Sequence, residues 1–245
     1  MSFSVILPTF NENDHIKDLL KSISDIFFQQ NITFEILVVD DNSTDGTKKT
    51  VQEFINTNKN IRLITRENKK RNLANSIDDG VKSSNYKYVI WMDADFQHPP
   101  RYIREFIDLS KHKDVIVCSR FLKQSERYFN DKKINKVINE NQSQIFNKLC
   151  NFLLFKDITD FTSGFICLKK ELLNNYCLNG YYGDYFVNLI VFLKKKNIQI
   201  LEISFKDDLR ATGFSKTAVK IDFKYLYLCL RYFFTLIKNL FLKFN

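Results

Sequence analysis

The segment YVIWMDADFQHPP, residues 88–100, constrains the fold more than any other stretch of the chain. Tyr88, Val89, Ile90, Trp91 and Met92 form a short, nearly unbroken apolar run, the pattern of a strand buried on both faces of a mostly parallel sheet. The run stops at two carboxylates. Asp93 and Asp95 are separated by one small residue, and positions i and i+2 of an extended chain point to the same side. Their oxygens therefore converge just past a strand's carboxyl end, where open α/β sheets bind ligands. Pro99 and Pro100 suit the first turn of a helix, where a missing N–H costs nothing, and Tyr102, Ile103, Phe106 and Ile107 give that helix an apolar face. Oxygen donors at this spacing suit Mg2+ or Mn2+, and Gln97 adds a neutral carbonyl oxygen. A cation held by Asp93, Asp95 and Gln97 alone keeps positions open for a diphosphate. The alternative is an acidic turn that only caps the helix; the flanking strand and the proline-started helix weigh against it.

The rest of the first half repeats the strand–helix alternation. SFSVIL reads as a strand, and Ile16, Leu19, Leu20, Ile23, Ile26 and Phe27 then recur at helical spacing, with Asn13 or Asp14 as the expected cap. FEILVVD is the next strand, followed by DNSTDGT and a helix that Thr47 starts and Val51, Phe54 and Ile55 face inward. IRLIT is a third strand, residues 73–81 a third helix closed near Gly80, and DVIVCSR a fifth strand after the Tyr88 run. Alternating strands and helices imply parallel βαβ units with ligand-binding loops at one sheet edge. Beyond residue 120 the regularity ends. Residues 121–141 are polar, which predicts a mobile loop or an exposed helix. Residues 143–155 have helical periodicity, ITDFTSGF reads as a turn at Gly164 leading into FICL, and a helix over 184–195 and the strand IQILEISF follow. The predicted fold class is α/β, a Rossmann-like, mostly parallel central sheet with flanking helices, over residues 1–217. Its regular half covers about 1–120 and its less regular half about 121–217, and residues 218–245 form an amphipathic helical tail.

In that tail Lys224, Arg231 and Lys238 stand seven residues apart, a spacing that stacks them along one side of a helix. Nearly everything between is Tyr, Leu, Phe or Ile. No uncharged apolar run approaches the roughly 18 residues of a membrane span, so the pattern predicts a helix lying in a membrane interface. Packing on the domain or on a second subunit is the alternative.

Charge narrows the partners. The 245 residues carry 37 Lys and Arg against 28 Asp and Glu, a net charge of +9 that calls for anionic partners. Basic residues are dispersed and no aromatic-basic recognition motif occurs, which argues against nucleic acid. Cys118, Cys150, Cys167, Cys177 and Cys229 form no C-x-x-C pair. They read as reduced residues of a cytosolic protein, and strand-like sequence from Phe3 leaves no room for a signal core. His15, His98 and His112 show neither a zinc nor a nucleophile arrangement; His98, beside the acidic loop, reads as structural.

Two loops at strand ends carry further chemistry. A dinucleotide fold would put a Gly-rich turn after the first strand, but here that turn is LPTFNEN, residues 7–13, where Thr9, Asn11 and Glu12 suit a base or ribose better than a pyrophosphate. No G-x-x-x-x-G-K-[ST] occurs. VVDDNSTDGT places Asp40 and Asp41 at the end of the second strand, within reach of a base N–H. An ordinary Asx-rich turn is the other reading.

Taken together and in order, LPTFNE, VVDDNSTDGT, MDADFQHPP, SRF, DFTSGF and RATGFSK resemble the family 2 glycosyltransferases of the GT-A fold, and most closely the dolichyl- and polyprenyl-phosphate sugar synthases. The resemblance spans about residues 2–216. It implies that Pro8, Thr9, Glu12 and Asp41 hold the nucleotide and that Asp93 sits by ribose and metal. Asp95 and Gln97 would bind the metal, Arg120 would face the phosphates, and Asp160 and Ser163 would lie near the acceptor. Arg210, Ser215 and Lys216 would close over the diphosphate and the acceptor phosphate. Asn72 and Ala74 stand where that family usually has glycines, Arg71 adds a phosphate-sized charge, and Asn139 stands where an arginine is common.

The expected reaction is inverting transfer of a sugar from a nucleotide-sugar, of the GDP-mannose or UDP-hexose type, to a polyprenyl phosphate, dependent on Mg2+ or Mn2+. The expected location is the cytoplasmic face of a membrane, with the tail on the membrane surface; a homo-oligomer is compatible with this reading. Glycosylation of a sugar hydroxyl in polysaccharide or glycolipid assembly is the alternative, with Asp160 as its base. A non-catalytic basic peripheral-membrane or nucleic-acid-binding module is the reading from another class.

Overall fold

The computed structural model describes residues 1–67, 69–122, 134–180, 183–206 and 223–244, with side chains described outside 134–142, 223–230 and 243–244. Seven strands form one sheet: β1 (Ser2–Thr9), β2 (Thr33–Asp40), β3 (Ile61–Thr65), β4 (Tyr88–Trp91), β5 (Val115–Ser119), β6 (Ile166–Lys169) and β7 (Leu201–Ser204). Their spatial order is β3-β2-β1-β4-β6-β5-β7. β3, β2, β1 and β4 run parallel, as the alternation predicts. β6 is inserted antiparallel between β4 and β5, and β7 lies parallel to β5. Because β6 is reversed, its entrance lies beside the exits of its neighbours: Ile166 pairs with both Trp91 and Val117. The DFTSGF turn therefore reaches the same sheet margin as the acidic loop.

The helices are α1 (Ile16–Gln29), α2 (Thr47–Ile55), α3 (Leu73–Ser83), α4 (Ile103–Leu109), α5 (Ile134–Leu153), α6 (Asp184–Lys195) and α7 (Phe223–Phe244). Strand periodicity divides the core into two layers. Phe3, Val5 and Leu7 pack toward α1 and α4, whereas Ile6 packs with Leu37, Val39, Trp91 and the buried faces of α3 and α6. Each such fully buried aliphatic or aromatic side chain contributes about 1.5–3 kcal/mol by leaving water.

Two local expectations are corrected. Neither Asn13 nor Asp14 caps α1. The boundary residue is His15, which makes no side-chain cap, and the Glu12 carbonyl instead accepts the Ile16 N–H at 3.0 Å. Asn13 is engaged elsewhere, donating its N–H to Asp45 at 3.0 Å and accepting the Thr50 hydroxyl at 2.6 Å. Nor does Gly80 close α3, which continues to Ser83. A Cβ on Gly80 would stand 2.5 Å from Ile6 Cγ2 and 3.1 Å from Val39 Cγ2, so the glycine lets the helix lie directly on the sheet. Residues 123–133 of the polar stretch lie outside the described residues, and 134–141 are helical in α5.

The tail is helical, but it is docked. Leu236 joins the core on the α6 side, Asn239 donates to Asn188 at 2.8 Å, and Arg231 donates to Asp184 at 2.8 Å. The basic stripe is thereby broken: Arg231 directs its charge into the domain, Lys238 is exposed, and the Lys224 side chain lies outside those described. The opposite face exposes Phe233, Phe234, Phe241 and Leu242, and α5 exposes Ile145, Leu149 and Phe152. Among the described residues no helix is long and apolar enough to cross a membrane.

Candidate active site

At the ends of β1 and β2 the two loops are knitted to each other. Thr9 donates to Asp40 at 3.1 Å, and Asp40, without exposed surface, also accepts the Ser43 N–H at 2.8 Å and hydroxyl at 2.5 Å. Asn11 donates its N–H to Ser43 at 2.8 Å and accepts from Thr44 at 2.9 Å, while Glu12 donates its N–H to Thr47 at 2.9 Å. Asn11 and Asn42 are left-handed, at φ +56° and +63°, the conformation that Asn tolerates best after Gly. Pro8 pairs with Val39 inside the strand ladder, and the Glu12 carboxylate meets His15 Nε2 at 3.0 Å.

Asp41 is fixed from behind. Its carboxylate accepts from the Arg66 guanidinium, from the Asn72 N–H at 2.9 Å and from the Ser76 hydroxyl at 3.1 Å. Arg66 is only 3% exposed and also bonds Asp79 at 2.9 Å. It was not among the residues the sequence singled out. The signal available was an arginine directly after β3, whose last residue Thr65 pairs with Asp40. Asn72 caps α3 by accepting the Asn75 N–H at 3.0 Å and donates to the Gly180 carbonyl at 2.9 Å, so an asparagine here ties α3 to the segment before α6. Arg71 lies over the Phe10 ring at 4.2 Å, beside the same loops.

The acidic loop leaves β4 in a tight turn. Asp95, 6% exposed, accepts the Gln97 N–H at 3.0 Å, and between them Phe96 is left-handed at φ +64°. A bulky residue in that region is strained, so its surroundings must hold it. His98 does so: Nδ1 accepts the Asp93 N–H at 2.9 Å, and the ring stacks on Phe165 with centroids 4.9 Å apart. His98 is thus a brace for the loop, as its position suggested. Asp93 is partly exposed. Behind it the Tyr185 phenol is kept protonated, its ionisation pushed up first by burial and then by the Asp93 carboxylate. The donors gathered on this turn are all oxygens, two carboxylates and an amide. Among the described residues no group of three or more His, Cys, Asp and Glu is placed to hold a metal. An oxygen-only, incomplete donor set fits Mg2+ or Mn2+ completed by phosphate oxygens, and does not fit zinc.

The third component joins the exit of β5 to the DFTSGF turn. Arg120 donates from Nε to Asp160 Oδ2 at 2.8 Å and from Nη2 to Asp160 Oδ1 at 2.9 Å and Thr162 Oγ1 at 2.9 Å. Asp160 has no exposed surface and also accepts the Arg120 and Thr162 N–H groups. Burial pushes its carboxyl up, but the Arg120 charge and these hydrogen bonds outweigh burial and hold it below the ordinary carboxylate range. Underneath, Glu202 accepts the Thr159 N–H at 2.8 Å and the Asp160 N–H at 2.9 Å. Burial leaves the Glu202 carboxyl raised despite those bonds. Ser163 donates to the Cys118 carbonyl and accepts the Phe165 N–H at 3.2 Å, which pins the turn to β5. Gly164, at φ +71°, makes the turn; a Cβ there would stand 3.3 Å from the Tyr185 hydroxyl. Asn147 on α5 donates to Thr162 at 3.0 Å and accepts from Phe161.

The fold thus brings Pro8, Thr9, Glu12, Asp41, Asp93, Asp95, Gln97, Arg120, Asp160 and Ser163 to one margin of the sheet. Arg210, Ser215 and Lys216 lie outside the described residues.

Comparison with known proteins identifies the family and the fold. Over 227 residues the chain is 31% identical to a dolichol-phosphate mannosyltransferase of Pyrococcus furiosus, a match covering 92% of this chain and 62% of that relative, so the chain spans about three fifths of its length. It is 28% identical over 232 residues to a dolichol-phosphate mannosyltransferase of Mycosarcoma maydis, covering 92% of this chain and 76% of the relative. Among solved structures, glucosyl-3-phosphoglycerate synthase of Mycobacterium tuberculosis, in complex with Mn2+, uridine diphosphate and glucosyl-3-phosphoglycerate, superposes with a TM-score of 0.68 at 15% identity, over 97% of this chain and 79% of that one. That likeness establishes the GT-A fold. The model for glycosyl transferase family 2 matches residues 4–177, a span that includes the loops after β1 and β2, the acidic turn and the Arg120–Asp160 pair, and the chain belongs to that family.

Proposed function

We propose that this protein transfers a sugar from a nucleotide-sugar to a polyprenyl phosphate at a membrane surface, with inversion and with a divalent cation held by Asp93, Asp95 and Gln97. The observation that carries the choice of acceptor is the state of Asp160. An alcohol must lose a proton as it attacks and needs a base, and Asp160 is the carboxylate of the acceptor-side turn. It is buried, gripped by Arg120 and held below the ordinary carboxylate range, which makes it a poor base. A phosphate monoester has a second pKa near ~6 and is already a nucleophile at neutral pH. The two relatives, both dolichol-phosphate mannosyltransferases, point the same way.

The residues divide the work by charge. When the sugar leaves, negative charge develops on the departing nucleoside diphosphate, and preorganised positive groups lower that barrier most. Arg120 keeps 22% of its side chain exposed and is fixed by Asp160, so it presents an oriented cation to that charge. A bound Mg2+ or Mn2+ would supply Lewis-acid stabilisation of the same diphosphate. The loops around Thr9, Glu12 and Asp41 would receive the base and ribose. Arg210, Ser215 and Lys216 would enclose both phosphates, a role that rests on resemblance alone. The exposed apolar residues of α5 and α7 suit the membrane surface where a prenyl chain resides.

The test is incubation with Mn2+, polyprenyl phosphate in vesicles and a panel of nucleotide-sugars, followed by mass identification of the lipid product. A product bearing one hexose on an acid-labile phosphodiester supports the reading. Transfer only to sugar hydroxyls overturns it.

A further inference from the structure

The C-terminal helix does more than lie near the site. Arg231 on α7 donates from Nη2 to Asp184 Oδ2 at 2.8 Å, and Asp184 is the first residue of α6 and only 2% exposed. On the next residue, the Tyr232 ring packs against Phe146 of α5 with centroids 4.7 Å apart. The Tyr232 hydroxyl sits against Gly183, so closely that a Cβ there would lie 2.6 Å from it and 3.8 Å from Thr162 Cβ. Thr162 in turn accepts from Arg120 Nη2 at 2.9 Å. Burial, and next the Asp184 carboxylate, keep the Tyr232 phenol protonated, while the Arg120 charge and the Gly183 N–H pull its ionisation the other way, so the phenol lies within the field of Arg120. Adjacent helical residues point about 100° apart, which lets Arg231 and Tyr232 straddle the start of α6. The absence of any side chain at residue 183 is what admits the hydroxyl.

We propose that Tyr232 and Arg231 are positioning residues for Arg120: α7 holds the start of α6 and Thr162 in place, and through them the orientation of the guanidinium that faces the departing diphosphate. This rests on the role given to Arg120 above. It makes the last helix part of the catalytic apparatus and not only a surface anchor. Tyr232→Phe removes the hydroxyl and keeps the ring on Phe146. Gly183→Ala displaces the same hydroxyl while leaving the sequence of α7 unchanged.

The experiment is a double-mutant cycle on the full chain with Tyr232→Phe, Gly183→Ala and Arg120→Lys, each alone and each of the first two combined with the third. Two quantities are read: kcat for transfer, and Kd for GDP and UDP with Mn2+. The loss of one buried hydrogen bond scales to roughly three- to tenfold. Tyr232→Phe and Gly183→Ala should each cost about that in kcat and should weaken diphosphate binding, and neither should add to Arg120→Lys. Losses that simply multiply in the Arg120→Lys background, or a lowered melting temperature with kcat and Kd unchanged, overturn the inference. Non-additive diphosphate binding in a protein that transfers nothing to polyprenyl phosphate upholds it and overturns only the acceptor assignment.

Discussion

Asp160, with no exposed surface, holds Arg120 in a two-pronged grip, Nε to Oδ2 at 2.8 Å and Nη2 to Oδ1 at 2.9 Å. A planar guanidinium matches a carboxylate in this way and an ammonium does not. Arg120→Lys should therefore fold but transfer slowly. Asp160→Ala leaves a half-buried cation without its counter-charge and should cost about 3 kcal/mol of stability. Urea unfolding checks the second point; a midpoint equal to that of the parent protein would exclude a structural role for the pair.

Stability should respond to pH through two neighbouring carboxyls of opposite sign. Asp160 is held below its ordinary value because the Arg120 charge and the hydrogen bonds outweigh burial, so its contribution is present above the unfolded value of about 3.9 and is lost as pH falls through the folded one. Glu202 is raised by burial, so its contribution is complete below the unfolded value of about 4.3 and is lost as pH rises through the folded one. The melting temperature should thus rise on mild acidification from neutrality and fall below about pH 4. Glu202→Gln should remove the rise, and a parent curve that only declines from neutrality would contradict the assignment.

Asp95→Ala should abolish transfer while leaving a folded protein. The hydrogen bond that Asp95 accepts from the Gln97 N–H is worth about 1 kcal/mol, a cost the fold can bear. The proposed function of Asp95 is to ligate the cation. Calorimetric titration of nucleoside diphosphate with and without Mn2+ separates the two: the variant should lose the metal-dependent share of binding, and an unchanged share would remove Asp95 from the metal site.

Gly80→Ala should destabilise by about 1–3 kcal/mol, because the new methyl meets Ile6 Cγ2 at 2.5 Å in a packed layer with no flexible neighbour to yield. Transfer per folded molecule should persist, since Ile6 lies within β1 and away from its loop. Denaturant unfolding reads the cost.

Phe234 and Phe241 are 64% and 69% exposed on the outer face of α7. Replacing both with Asp should leave the melting temperature nearly unchanged and release the protein from anionic vesicles in a flotation assay. Retention on vesicles would assign membrane attachment to another surface.

Much of this was legible in the chain. IRLIT and residues 184–195 appear as strand and helix with the bounds expected, because each is an apolar run of the right length and run length is a local signal. The acidic turn was legible because an apolar run ending in Asp-x-Asp-x-Gln is local. What escaped was non-local. Arg66 reaches Asp41 across 25 residues and Arg120 reaches Asp160 across 40, and no local pattern announces either partner. Asn13 looked like a helix cap because its competitor, the Asp45–Thr50 segment, is brought to it only by the pairing of β1 with β2. The tail read as a membrane-interface helix because a basic stripe at seven-residue spacing borders a broad apolar face; docking is specified by Arg231, Tyr232 and Asn239, whose partners lie on α6 and α5.

The reversed strand β6 has a consequence for the order of assembly. Val89 and Val115 both pair with Leu168, so among the described residues the two halves of the sheet are joined through a strand made more than fifty residues after the later of them. Loop closure on that scale is slow relative to helix formation. A nascent chain can complete its four parallel strands on the ribosome and still lack the Arg120–Asp160 pair. Turnover should begin abruptly, once the late strand has been inserted between its two partners.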